Sequence, residues 1–72
     1  MFDEYDVVQL KHDLPKHNLK AGTRGAIVMV HSTPSRAYEV ELIDGDGWTL
    51  DVLTLTDEDL LAANDTRREE AA

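Results

Sequence analysis

Alternating apolar and polar positions run through most of the chain and predict a small all-β domain. The strictest alternation lies in residues 37–43, where the apolar residues of one face are Tyr38, Val40 and Leu42. Glu39 and Glu41 take the opposite face, because successive side chains of a strand point to opposite sides of a sheet. This strand therefore packs one face into a core and turns a carboxylate face to solvent.

A first strand and a long loop come before it. Residues 5–11 are rich in β-branched and aromatic side chains and predict a strand that directs Val8 and Leu10 into the core. Residues 12–23 show no periodicity and predict a long first loop. Exposing both leucines of this loop would be unfavourable. The pair expected to fold back and cover one open end of the barrel is therefore Leu14 and Leu19.

A second strand is predicted over residues 25–31, after a turn that contains Gly22 and Gly25. These glycines allow backbone angles that a Cβ atom would forbid. The sequence is compatible with two registers of this strand. In one, a bulge lets Ile27 and Val30 both face inward. In the other, strict alternation groups Ala26, Val28 and Val30.

The second half of the chain predicts a hairpin and a helical turn. Residues 44–47 contain two Asp-Gly pairs, which favour the positive φ angles of a tight hairpin. Residues 48–55 are long enough to bend into a fourth strand and a short fifth strand, as the closure of a small barrel requires. Thr56 is a suitable N-cap with Asp59 three residues later, which predicts a helical turn. The residues expected to anchor this turn are Leu60 and Leu61.

Length and composition indicate one domain with a small core. A chain of 72 residues has room for a single domain. It contains no cysteine, so no disulfide or thiolate metal site supports the core. The first residues are acidic rather than basic, and no apolar run reaches the length that spans a bilayer. We expect a soluble cytoplasmic protein that does not act at a membrane.

The formal net charge of −8 at pH 7 arises in the second part of the chain. Residues 1–31 carry equal numbers of acidic and basic side chains. From residue 32 onward the cations are Arg36, Arg67 and Arg68. Against them stand eleven carboxylates: Glu39, Glu41, Asp44, Asp46, Asp51, Asp57, Glu58, Asp59, Asp65, Glu69 and Glu70. Such a surface repels phosphate backbones and attracts basic proteins.

Several blocks of the chain together resemble an uncharacterised family of short bacterial proteins, a domain of unknown function. The blocks are EYDVV at 4–8, DLP at 13–15, LKAG at 19–22, GAIVMV at 25–30, AYEVE at 37–41 and LTL at 53–55. The resemblance covers about residues 2–61. Members of this family are sometimes encoded beside small ribonuclease-like toxins. The resemblance therefore implies an antitoxin or immunity role, and it assigns no catalytic residue.

The family is similar in pattern to SH3-like barrels such as KOW domains and the barrel of the nitrile hydratase β subunit. In those barrels Gly-x-x-Gly-x-Val opens the second strand, and here residues 22–27 fit with Ile27 at the last place. The expected fold is a single five-stranded SH3-like small barrel over residues 1–63, with a long first loop and a C-terminal helical turn. Residues 64–72 are expected to form a flexible acidic tail.

No set of residues has the composition and spacing of a catalytic or metal site. The histidines lack the i, i+4 spacing of a helical metal pair; they are His12, His17 and His31. The acidic hairpin departs from the calcium-loop pattern, since Leu55 stands where that pattern requires glutamate. A barrel of this size fills its interior with side chains and encloses no substrate pocket. We expect a protein without catalytic activity, metal or cofactor.

The carboxylate face is the expected binding site, and the expected partner is a basic protein. Glu39 and Glu41 lie on the exposed side of their strand, and Asp51 is expected beside them on a neighbouring strand. Trp48 follows the hairpin and has two interpretations. It is either an aromatic anchor of the kind that protein interfaces favour or a lid over the barrel.

Nucleic-acid binding is one alternative function, because KOW-like barrels often bind RNA. It would use the basic residues in and around the first loop, with Tyr5 or Trp48 stacking on bases. These basic residues are Lys11, Lys16, Lys20 and Arg24. The many carboxylates elsewhere oppose this alternative.

Self-association is the other alternative. An open barrel edge offers unpaired backbone groups to a second copy of the chain. The result would be a homo-oligomeric structural or accessory protein.

Overall fold

The computed structural model describes residues 1–63, which form an all-β fold with one antiparallel sheet. Its strands are β1 (Val7–Leu10), β2 (Arg24–His31), β3 (Ala37–Ile43), β4 (Thr49–Leu55) and β5 (Leu60–Ala62). Two short 3₁₀ helices cover Pro15–His17 and Asp57–Asp59. The strand order is β4-β3-β2-β1-β5, so β4 and β5 are the edges and no ladder joins them. The predicted all-β class and strand number are confirmed.

One face of the sheet builds the core that the alternation predicted. The inward residues with no more than 1% exposure are Val8, Leu10, Ile27, Tyr38, Val40 and Leu42. Burial of such side chains stabilises the fold by roughly 1.5–3 kcal/mol each. β1 is shorter than predicted, because Tyr5 has a φ of 71° and lies in a turn before the strand.

A bulge settles the register of β2. The pairing with β3 shifts between Ile27 and Met29, which places Val28 in the bulge. Ile27 lies opposite Val40, and beyond the bulge Val30 lies opposite Tyr38 and packs against the core. The bulged register is therefore the correct one of the two predicted alternatives.

The first loop folds back on itself and covers the core. Leu14 and Leu19 form an isolated bridge, in which each backbone N–H donates to the other residue's carbonyl. Leu19 is buried, and Leu14 is partly buried and packs against the core. Between them lies the 3₁₀ helix Pro15–His17, which the sequence pattern did not predict. The two leucines therefore pack against the core as expected, and the covering of an open barrel end stays a prediction.

The fifth strand does not come from the predicted stretch. Residues 49–55 form the single strand β4, and β5 follows only after the 3₁₀ helix Asp57–Asp59. The predicted cap is present, because the Thr56 and Asp59 side chains form a reciprocal capping box. After this turn, β5 lies beside β1, where Leu60 pairs with Leu10 and is buried. Leu61 points away from the core and is exposed, so its predicted anchoring role is wrong.

The side chain of Tyr38 holds the N-terminal segment to the sheet. Its hydroxyl accepts hydrogen bonds from the Phe2 backbone N–H at 3.1 Å and from Arg36 Nε at 3.0 Å. It donates to Asp57 Oδ1 at 2.8 Å. The hydrogen bond with Tyr38 raises the pKa of the Arg36 guanidinium above its usual value. The Tyr38 hydroxyl thus links β3 to the N-terminal segment and to the 3₁₀ helix Asp57–Asp59.

Within residues 1–63, no helix has the length and apolar composition needed to cross a membrane. The acidic tail predicted for residues 64–72 lies outside the described residues.

Candidate interaction surface

Carboxylates and apolar side chains alternate across the outer face of the sheet. Glu39 lies opposite Met29 of β2, and Glu41 lies opposite Val52 of β4. Met29 is 49% exposed and Val52 is 52% exposed. We call these four residues the acidic–apolar face. Glu39 and Glu41 therefore lie on the outer face of the sheet, as predicted, and each has an exposed apolar neighbour on the adjacent strand.

Hydrogen bonds between strands hold both carboxylates in place. Glu39 Oε2 accepts a hydrogen bond from Thr54 Oγ1 at 2.8 Å and lies 3.0 Å from His31 Nε2. Glu41 Oε2 accepts a hydrogen bond from Thr49 Oγ1. The bond from Thr54, followed by the contact with His31, lowers the pKa of Glu39. The negative charge is therefore fixed in position at neutral pH.

Replacing Thr54 by valine is expected to raise the pKa of Glu39 toward its usual value of 4.5. A carboxylate with a lowered pKa stabilises the fold above its unfolded-state pKa and loses that contribution as pH falls through the folded-state pKa. The variant should therefore show a weaker fall of Tm with acidification. Carbon-13 NMR titration of the Glu39 carboxyl measures the shift directly.

Thr49→Val is the matched control for this titration, because Thr49 bonds to Glu41 rather than Glu39. It should leave the Glu39 titration unchanged. Equal Glu39 titrations in wild type and Thr54→Val would contradict the role given to Thr54.

Asp51 does not join Glu39 and Glu41. It lies opposite the buried Leu42, so its side chain leaves β4 on the core side of the sheet. Its Oδ1 accepts a hydrogen bond from the Val52 backbone N–H at 2.8 Å. Its Oδ2 lies 3.7 Å from His17 Nδ1 in the first loop. The predicted row of three carboxylates is therefore a pair, and Asp51 belongs to the edge of the sheet.

Trp48 lies at the end of the β3–β4 hairpin and is 74% exposed. It does not cover the core, so its interpretation as a lid is wrong. The turn before it is ordered by Asp44, whose Oδ1 accepts hydrogen bonds from the backbone N–H groups of Asp46 and Trp48 at 2.8 and 3.0 Å. Leu50 on the adjoining strand is 48% exposed. Both apolar side chains are available to a partner.

The four predicted basic residues are all exposed, and they follow the first loop and its flanking strands: Lys11, Lys16, Lys20 and Arg24. Acidic groups interrupt this region. Asp13 accepts a hydrogen bond from the backbone of Ala21, and Asp59 lies 3.1 Å from His12. Arg24 lines a shallow cleft of about 730 Å³ whose other wall includes Asp44 and Asp46.

Each histidine lies beside a carboxylate, a feature that sequence spacing did not predict. The pairs are His12 with Asp59, His17 with Asp51 and His31 with Glu39, at 3.1, 3.7 and 3.0 Å. Their members come from segments that only the folded chain brings together. Within the described part of the chain, no group of three or more histidine or acidic side chains is arranged to hold a metal ion.

The family model described as Domain of unknown function (DUF4926) matches residues 4–62 of the chain. Comparisons with curated proteins and with solved structures gave no match. The region matched by the family model includes the acidic–apolar face and all five strands.

Proposed function

The chain belongs to the family described as Domain of unknown function (DUF4926), and we propose that it is a non-catalytic module that binds a basic protein. The single observation that carries this proposal is the acidic–apolar face. Its two carboxylates are immobilised, and each lies opposite an exposed apolar side chain. Such a face can bury apolar surface and pair charges within one contact.

The energetics of association favour a basic partner for this face. The net charge of −8 accelerates encounter with a positively charged protein and opposes wrong partners of like charge. Because hydrogen bonds already order Glu39 and Glu41, little side-chain entropy is lost when a lysine or arginine pairs with them. Trp48 adds an exposed aromatic ring of the type that anchors interfaces.

In its most specific form, the proposal is an antitoxin or immunity protein that neutralises a basic ribonuclease-like toxin. A basic nuclease binds the phosphate backbone through cations, and a carboxylate face offers those cations a competing surface. The proposed setting is the bacterial cytoplasm, because the cysteine-free composition suits a reducing compartment.

We further propose that the sheet is an SH3-like small barrel. The support is its strand order, β4-β3-β2-β1-β5, with a bulge in β2 and a 3₁₀ turn before the short last strand. Bulges and such turns introduce the curvature that a small barrel needs.

The test begins with the protein that co-purifies with the tagged chain from its own host, followed by isothermal titration between the two purified proteins. Glu39→Gln with Glu41→Gln removes two charges and retains side-chain hydrogen-bond acceptors. The control, Glu4→Gln with Glu58→Gln, removes two exposed charges outside the acidic–apolar face. The face variant is expected to bind at least about tenfold more weakly, which is about 1.4 kcal/mol, while the control changes by less than about twofold.

Two further measurements complete the test. A ribonuclease partner should lose activity at one equivalent of wild-type chain and keep it with the face variant. Equal losses of affinity in both double variants would overturn the proposed face. Retardation of RNA in a gel at low salt, with no basic protein captured, would support the nucleic-acid alternative instead. Concentration-dependent self-association without a foreign partner would support the homo-oligomer.

A further inference from the structure

The edge strand β4 is open to another strand. It pairs with β3 on one side, and within residues 1–63 no backbone hydrogen bond joins its other side to another segment. Natural edge strands are blunted by lysine, proline, a β-bulge, an inward-pointing charge or a covering segment. β4 has seven residues and contains neither lysine nor proline. Its bulge at Leu50 leaves residues 51–55 in regular pairing with β3, and its one charged residue, Asp51, lies on the core side, where it disfavours a strand of like charge.

The contacts of Val52 show which backbone groups point outward. In an antiparallel pair, residues that exchange hydrogen bonds with the partner alternate with residues whose N–H and C=O face away. The Val52 N–H is bonded to the Asp51 side chain and not to β3. The backbone N–H and C=O of Val52 therefore point away from β3, toward the open edge. Thr54 lies two residues further and shares that orientation. The groups that face an added strand are therefore the N–H and C=O of Val52 and Thr54, and the Val52 N–H must first be released from Asp51 Oδ1.

Exposed side chains along the same edge would be covered by an added strand. Val52 is half exposed on the outer face, and Leu50 is half exposed at the second bulge, where pairing with β3 shifts. Trp48 lies just before the first residue of the strand. Addition of a strand would bury these side chains while completing the backbone hydrogen bonds, which is the usual mode of strand addition to a sheet.

Asp51 selects the charge of the incoming strand. A neighbouring strand places side chains within about 5 Å of their cross-strand partners, where opposite charges stabilise and like charges destabilise. A second copy of β4 carries no cation to meet Asp51, and each copy has a net charge of −8. A lysine or arginine on a foreign strand would form an ion pair with Asp51. The Val52 N–H, released from Asp51, would then donate to a backbone carbonyl of the added strand.

We infer that β4 receives an extended, basic segment of the partner as a sixth strand, with Asp51 as its specificity-determining residue. This inference rests on the proposed function and names the way in which the basic partner is held. Glu41 lies one strand further in, on the outer face, and adds negative potential beside the docking edge.

The test uses a seven-residue peptide of alternating lysine and valine as the probe, with the full chain in solution. Titration followed by nitrogen-15 NMR should shift the amides of β4 more than those of β5. Contacts between the peptide backbone and β4 should appear in nuclear Overhauser spectra, and the Thr54 amide should exchange more slowly. The same peptide methylated on every backbone nitrogen keeps its charges and should bind at least about tenfold more weakly.

Asp51→Asn tests the specificity role, because it removes the charge and keeps an oxygen to accept the Val52 N–H. The variant should lose about fivefold or more in affinity for the lysine–valine peptide. Asp46→Asn is the matched control, since Asp46 is exposed in the hairpin turn and its carboxylate has no hydrogen-bond donor among the described residues. It should change the affinity by less than about twofold.

The outcomes separate this inference from the proposed function. Equal binding of the methylated and unmethylated peptides would overturn strand addition and leave recognition of basic proteins by the acidic–apolar face intact. Equal binding of a glutamate–valine peptide, or a dimer that protects β4 in the absence of peptide, would show that the occupant is not basic. Failure of both the peptide and any basic protein to bind would overturn the proposed function itself.

Discussion

Replacing Gly25 by alanine is expected to lower the free energy of unfolding by about 2–3 kcal/mol. Gly25 lies in β2 opposite Leu42, where the two strands approach closely. A Cβ atom there would lie 2.5 Å from the Glu41 carbonyl oxygen and 3.1 Å from Leu42 Cδ2. The oxygen belongs to a paired strand, so relief of the clash requires β2 and β3 to separate locally.

Urea and thermal denaturation measure this effect. A loss of about 2 kcal/mol lowers Tm by roughly 8–16 °C in a domain of this size. Gly45→Ala is the control, because a Cβ at Gly45 meets nothing within 4 Å and its φ is not in the left-handed region. That variant should stay within about 0.5 kcal/mol of wild type. Equal unfolding midpoints for the two variants would contradict the close approach at Gly25.

The second large effect is expected for Tyr38→Phe, at about 1.5–2.5 kcal/mol. The Tyr38 side chain is fully buried, and its hydroxyl accepts from Phe2 and Arg36 and donates to Asp57. Phenylalanine keeps the ring and its packing against Phe2, whose ring centroid lies 5.8 Å away, and removes only the oxygen. The N–H of Phe2 then loses its acceptor, and the chain around Phe2 should be held less firmly, while Arg36 still donates to the Phe2 carbonyl and Tyr5 and Asp6 stay bonded to Ile27.

Hydrogen exchange at Phe2 distinguishes this local loosening from general destabilisation. Exchange of the Phe2 amide should accelerate more in Tyr38→Phe than exchange of the Tyr5 amide, which keeps its bond to the Ile27 carbonyl. Tyr5→Phe provides the control, because Tyr5 is exposed and its hydroxyl has no protein hydrogen bond among the described residues. If Tyr5→Phe and Tyr38→Phe unfold at the same urea concentration, the proposed role of the Tyr38 hydroxyl is wrong.

Gly25 shows where local sequence reasoning reaches its limit. The pattern marked Gly22 and Gly25 together as residues needed for unusual backbone angles. Gly22 has a φ of 91° and fits that explanation, whereas Gly25 is required because β3 passes close by. The first requirement is local and readable from a turn motif, and the second depends on a strand that is distant in the chain.

Among the carboxylates predicted for the binding surface, some positions followed from local alternation and one depended on strand pairing. Alternation in β3 correctly placed Glu39 and Glu41 on the solvent side, because the two-residue period of a strand is an intrinsic property of its backbone. Asp51 was placed on the wrong face. The extra residue at the second bulge, where Ile43 pairs with Thr49 and Leu42 with Asp51, changes which residues of β4 face the core. A single unpaired residue reverses the side of every residue beyond it.

By itself, the sequence determined the all-β class, the core residues of β1 and β3, the hairpin turn and the capping box before β5, since each depends on neighbouring residues. Tertiary structure alone decided the register of β2, the origin of the fifth strand, the exposure of Trp48 and the carboxylate partner of each histidine. These features depend on which strands pair and where an extra residue is inserted. Strand pairing is set by the packing of the whole core, and no short stretch of the chain contains that information.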